Sequence, residues 1–148
     1  MNRVDKKTPK YYRDICQAFP PDFNFKLEAA LQCSPYTIED LKTYGNAPKY
    51  ALWRHLIATF YIMSTNSTLE DAGRLMARDH ASILNGIRKI CFALQHPKAD
   101  RQLHEIIQMV IIESKNTSVY SLDHNVNEII SAVSIENEIC NKLKELTA

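Results

Sequence analysis

Gly73-Arg74-Leu75-Met76-Ala77-Arg78-Asp79-His80-Ala81-Ser82-Ile83-Leu84-Asn85-Gly86-Ile87-Arg88-Lys89-Ile90 divides into the end of one short helix, a turn, and the start of a second helix. Upstream, Asn66-Ser67-Thr68 supplies the cap of the first helix. Its Leu69, Ala72 and Leu75 recur at the spacing of one inward face. Gly73 has no side chain and permits close approach by a neighbouring helix. After the turn at Ala77-Arg78, Asp79 fits the N-cap of a helix running to about Gln95. That helix packs Ile83, Leu84, Ile87, Ile90 and Cys91, and its other face carries Ser82, Asn85, Arg88 and Lys89. Two helices joined by a tight turn, the second with a polar N-terminal face, form a helix-turn-helix pattern.

The chemistry of that polar face suits base edges. Asp79 can accept from a cytosine amino group, and His80 and Ala81 can touch a thymine methyl. Arg78 and Ser82 can hold phosphate or a base. Plainer readings stand beside these. Asp79 acts as a cap alone, or as cap and reader together. His80 is a recognition group or a surface histidine without a role. Arg88 and Lys89 supply general charge near phosphates or solvent rather than specific readout.

Working outward, the chain is expected to be all-α. Residues 1–21 read as an arm with a short helical stretch, where Tyr11, Tyr12, Ile15 and Phe19 recur until Pro20-Pro21 interrupts. Phe23, Phe25, Leu27, Ala30 and Leu31 suggest a helix ending near Cys33, and Thr37 with Asp40 has the form of a capping box. Tyr44-Gly45-Asn46-Ala47-Pro48 is loop chemistry, and Pro48 opens the longest helix, reaching about Thr65. Trp53, Phe60 and Tyr61 form a stripe there that reads as packing rather than base stacking.

Pro97 marks the next break, before a helix from about Ala99 to Glu113. That helix buries Leu103, Ile106, Ile107 and Val110, while Met109 and Ile112 make a second apolar side that points to another partner surface. Residues 122–146 carry a further amphipathic pattern whose phase shifts near Ser134. The expected organisation is an arm (1–21), a helix-turn-helix domain (22–114) and a C-terminal helical extension (115–148).

Composition narrows the function classes. One compact domain suits 148 residues of which 45% are hydrophobic. With three Gly and no G-x-x-x-x-G-K-[ST], the chain carries no phosphate loop, and no nucleotide partner is expected. No apolar stretch approaches a membrane span, and Met1 to Lys10 lacks a signal-peptide core, so a cytoplasmic location is expected. Cys16, Cys33, Cys91 and Cys140 are scattered and read as buried thiols rather than disulfides. Zinc held by Cys91 with His96 or His104 matches no usual finger spacing. No nucleophile–base pair stands out, so neither an enzyme nor a cofactor is expected.

The net charge of +1 hides an uneven distribution. Residues 1–14 carry +3 and residues 15–41 carry −3. Residues 42–101 carry +5, and residues 102–148 carry −4. The positive charge thus sits with the helix-turn-helix pattern, where it can steer a polyanion, while the acidic tail opposes non-specific binding.

The run from Arg78 resembles the DNA-binding C-terminal domain of the bacterial replication initiator DnaA. That family carries Arg-Asp-His, then Thr/Ser-Thr, a β-branched residue, Leu-His and Arg-Lys-Ile, against Arg78-Asp79-His80-Ala81-Ser82-Ile83-Leu84-Asn85-Gly86-Ile87-Arg88-Lys89-Ile90 here. Thr68-Leu69-Glu70-Asp71-Ala72-Gly73 resembles the family's Ser-Leu-x-x-Ile-Gly, and Glu39-Asp40-Leu41 its Glu-Asp-Leu. Coverage runs over about residues 22–113.

The resemblance implies a sequence-specific duplex-DNA-binding protein that lacks the family's ATPase domain. It implies that Asp79, His80 and Ala81 read bases in the major groove, and that Arg54, Arg78 and Ser82 serve mainly as phosphate clamps or orienting groups. A replication or transcription regulator follows, nucleoid-associated and of bacterial, phage or mobile-element origin. Homodimerisation through the C-terminal helices would be an addition to the family's pattern.

Four departures stand out. Ala81 replaces a Thr, Asn85 replaces a His, and the turn between Gly73 and Arg78 is one residue shorter than the common form. The family's Arg-rich minor-groove loop is here Thr43-Tyr44-Gly45-Asn46-Ala47-Pro48-Lys49, with charge only at Lys42 and Lys49. The weakened loop and the acidic tail favour a competing reading, a protein-interaction module that keeps the scaffold without binding DNA.

Overall fold

A computed structural model describes residues 8–116 of the chain. They form seven helices and no strand: α1 (Lys10–Ala18), α2 (Leu27–Cys33), α3 (Ile38–Thr43), α4 (Pro48–Thr65), α5 (Leu69–Met76), α6 (His80–Gln95) and α7 (Arg101–Asn116). The described part of the protein is all-α. Residues 117–148, with Cys140, His124, the expected C-terminal extension and its dimerisation surface, lie outside the described residues, as do residues 1–7.

The 18-residue α4 is the axis of the bundle. Pro48 occupies its first turn, where the missing N–H costs nothing and the fixed φ suits a helix. Leu56, Ile57, Phe60 and Ile62 are fully buried, and Trp53 is nearly so. Around this axis pack α2, α3, α5 and α6, while α7 closes the bundle against α2 and α6. The Trp53/Phe60 stripe is packing, as the periodicity indicates.

The described part of the 1–21 segment is not free of the domain. Helix α1 lies against α6, with Ile15 and Phe19 buried in the shared core. Phe23 and Phe25 also reach that core, but from the extended stretch before α2 rather than from within a helix. Phe19, Phe23, Phe25 and Phe60 make mutual ring contacts with centroids 4.8–6.1 Å apart. Alternating spacing, not helical spacing, is what brings Phe23, Phe25 and Leu27 inward together.

Caps place the short helices. Thr37 and Asp40 form a reciprocal capping box at α3, and Thr68 and Asp71 form another at α5. Helix α5 ends with Ala77 in the left-handed region (φ 53°), and the Arg78 amide then donates to the Gly73 carbonyl at 2.9 Å. A Cβ on residue 73 would sit 2.6 Å from the Arg78 carbonyl oxygen. Gly73 therefore admits the turn folding back beneath it, and not a neighbouring helix. This contact sets how α6 leaves α5.

Candidate nucleic-acid interface

Asp79 caps α6 from an extended conformation, its Oδ1 accepting from the Ser82 amide at 2.8 Å. That hydrogen bond from Ser82 is the main reason the carboxyl lies below its ordinary range. Capping consumes one hydrogen bond and leaves the side chain at the surface. Beyond the cap, His80, Ala81, Ser82 and Asn85 are exposed on one side of α6, with Ile83, Ile87 and Ile90 buried on the other. Lys89 and Arg88 are exposed too.

Arg54 is placed as an orienting group rather than on the open surface. It is only 3% exposed, and its guanidinium is spent inside the domain. Nε donates to the Leu41 carbonyl at 2.7 Å, and Nη2 to the carbonyls of Tyr44 and Gly45. Burial, and then Arg78 beside it, lowers its pKa. With Nε and Nη2 committed to backbone carbonyls, Arg54 acts as a structural tie that holds and orients the loop.

Arg78 shares that task. It is half-buried, with Nη2 donating to the Tyr44 carbonyl at 2.8 Å and Nη1 to those of Ala77 and Lys42 at 3.0 and 3.3 Å. Arg54 ties the α3–α4 loop to α4, and Arg78 ties it to the turn between α5 and α6. What Arg78 contributes to the surface is charge, since its donors already face carbonyls.

An aromatic cluster gathers around that loop, from the stretch before α3, the loop itself and the first turn of α4. Tyr36, Tyr44 and Tyr50 pack with centroids 4.7–6.3 Å apart, and Lys49 Nζ lies 5.0 Å from the Tyr50 ring centroid. Lys49 is exposed at the start of α4. An open groove separates this region from α6, lined by Asn46, Ala51, Arg54, His55, Arg78, Ser82, Ile83, Asn85 and Lys89. Arg88 does not face it. Arg88 borders a second depression, with Tyr11, Asp14 and Gln17 of α1 and Phe92 of α6.

Two residues of this region escaped the sequence reading, and they belong together. A Cβ on Gly86 would lie 2.1 Å from His55 Nδ1 and 2.5 Å from its Cγ, so the ring occupies the space that glycine leaves in α6. A glycine within an amphipathic helix is the available sequence signal for such close approach. Burial, followed by Lys89 and Arg54, pushes His55 down to about 4 from 6.5.

The sign of the linkage is direct. Between those values the unfolded chain binds a proton that the folded chain does not. His55's contribution is therefore complete above pH 6.5 and is lost as pH falls towards 4. Urea unfolding at pH 7 and pH 4.5 should show up to about 3 kcal/mol of pH-dependent stability that His55→Gln removes. Equal pH dependence in both proteins would refute this placement of the ring.

Among the described residues no three His, Cys, Asp or Glu side chains gather to hold a metal. Cys91 is buried and pushed up to about 12 by that burial, with Asp14 adding to it. His104 Nδ1 lies 3.1 Å from the Ala93 carbonyl, and the His96 ring packs on Phe92 at 4.5 Å. No described helix is long and apolar enough to cross a membrane. The chain matches no protein-family model, no curated protein and no solved structure.

Proposed function

We propose that the protein binds duplex DNA through α6, acting as a replication or transcription regulator. The observation that carries this reading is the solvent-facing first turn of α6. It sets Asp79, His80, Ala81 and Ser82 at the surface, with Asn85 following, on the second helix of a helix-turn-helix unit. Asp79, His80 and Ala81 read base edges, and Ser82 and Asn85 contact bases or the adjoining backbone. Lys49, Arg78, Lys89 and Arg88 supply the positive field, and Arg54 supports the loop from behind. A cytoplasmic, nucleoid-associated setting goes with this role, and homodimerisation through residues beyond α7 would pair two short sites.

The resemblance to the DnaA C-terminal domain points the same way, in the Arg78-Asp79-His80 run and the Arg88-Lys89-Ile90 end of the motif. The test begins by selecting binding sites from a random duplex pool, followed by titration of the winning site and of random duplex. The Asp79→Ala/His80→Ala pair should bind the selected site about 10- to 100-fold more weakly while retaining salt-sensitive binding to random duplex. Undiminished affinity for the selected site in the double variant would remove α6 as the reader.

One observation favours the second reading, a protein-interaction module on the same scaffold. Both central arginines face carbonyls, and the loop between α3 and α4 displays Tyr44, 39% exposed, rather than cations. Absence of binding to random duplex at low salt would select this reading.

A further inference from the structure

The groove beside α6 contains a titratable group that the base-reading surface does not use. The His55 ring lies against Gly86, and no group among the described residues hydrogen-bonds to either of its nitrogens. No buried side-chain nitrogen or oxygen among the described residues lacks a partner, so those ring nitrogens are not sealed from solvent, and His55 lines the groove. Around them stand Lys89, Ser82 and Asn85 from α6 and Asn46 from the α3–α4 loop. No carboxylate lines this groove. Arg54 and Arg78 line it as well; Arg54 Nε and Nη2 and both Arg78 Nη atoms donate to backbone carbonyls, so these groups add mainly positive potential. The groove thus offers one free ammonium, a hydroxyl, two amides and an uncharged imidazole around a positive, carboxylate-free space. Those are the requirements of a singly bound oxyanion.

We propose that this groove is a phosphate site in which Lys89 supplies the charge and His55 a hydrogen bond, and that its occupant is a backbone phosphodiester of the bound duplex. The identity of the occupant rests on the duplex-DNA reading; the existence of an anion site does not. Gly86 is part of the device, because a side chain there would occupy the position of the ring. The charged groups facing His55 are Lys89 of α6, Arg54 of its own helix and Arg78 of the turn, and of these Lys89 and Arg54 disfavour its protonation. A phosphate opposes their effect. Occupancy therefore makes the ring more basic, and binding draws a proton from solution as pH falls below about 6.

The experiment follows the histidine ring signals of the full chain by NMR across pH. It is done with the chain alone, with excess inorganic phosphate, and with a random-sequence duplex at low salt, assigning His55 through His55→Gln. The parent protein carries the main measurement, so the result does not depend on the variant folding. The expected outcome is a titration midpoint near 4 for the chain alone that moves up by about one unit or more with duplex. His55→Gln should then bind duplex about fivefold more weakly at pH 6 and show less proton uptake.

The outcomes separate the two claims. Duplex that binds while the His55 midpoint stays in place overturns the phosphate site and leaves the DNA reading intact. A midpoint raised by inorganic phosphate, with no duplex binding at low salt, supports the anion site and overturns the phosphodiester as its occupant. A midpoint unmoved by phosphate, together with no duplex binding, overturns both.

Discussion

Replacing Gly86 with alanine should destabilise the protein by about 2 kcal/mol, reversing the ordinary effect of that substitution. Within a helix, alanine is favoured over glycine by about 1 kcal/mol. Here the added methyl would sit 2.5 Å from the root of the His55 ring at Cγ as well as 2.1 Å from Nδ1. Turning the ring about its own bond leaves Cγ in place, so relief requires a new χ1 or a shift of α6 away from α4. Overpacking of this kind costs about 1–3 kcal/mol beyond any propensity gain.

The diagnostic is a double-mutant cycle by urea unfolding. His55→Ala should remove the clash, so that Gly86→Ala becomes neutral or stabilising in that background. If Gly86→Ala costs the same with and without His55, the ring is not what the glycine accommodates.

Arg54→Lys should cost about 3 kcal/mol although it preserves the charge. Arg54 spans three carbonyls from Leu41 to Gly45 with a planar set of donors, and it is almost wholly enclosed. A lysine ammonium cannot reach the same acceptors in that geometry; the Tyr44 carbonyl keeps Arg78, but the carbonyl of buried Leu41 loses its guanidinium donor, at a cost of about 1–3 kcal/mol, and the packing of the planar group is lost with it. Amide exchange at residues 43–47 should accelerate as the loop comes free. This substitution separates the two roles assigned to the residue. A phosphate clamp would tolerate lysine with little change in stability, whereas a structural tie would not.

The parts of the fold written in local chemistry were open to reading. Thr37 with Asp40, Thr68, Pro48 and Asp79 each announce a helix start through a hydrogen bond or a fixed φ within a few residues, and each start lies where expected. The exposed face of α6 followed from the same periodicity that buried Ile83, Ile87 and Ile90.

What the sequence hid depends on partners remote along the chain. Arg54 looks like any other cation until the carbonyls of Leu41, Tyr44 and Gly45 are seen around it. His55 and Gly86 are 31 positions apart, and each alone is unremarkable in a helix. Tyr36, Tyr44 and Tyr50 are close enough in sequence to notice, but their mutual packing depends on the path of the loop. Phe23 and Phe25 fit a helical spacing with Leu27 only when the rest of the pattern is ignored.

The position of α6 among its neighbours bears on how the protein can change over generations. It is braced by α1, α4, α5 and α7. Variation towards those neighbours must disturb packing, while positions 80–82 and 85 stand outside it. Under the proposed DNA-binding role, selection for a new target can therefore act on a few outward residues while the scaffold stays constant. Evolvability and stability are divided between opposite faces of the same helix, and a drift in specificity need not pass through an unfolded intermediate in sequence space.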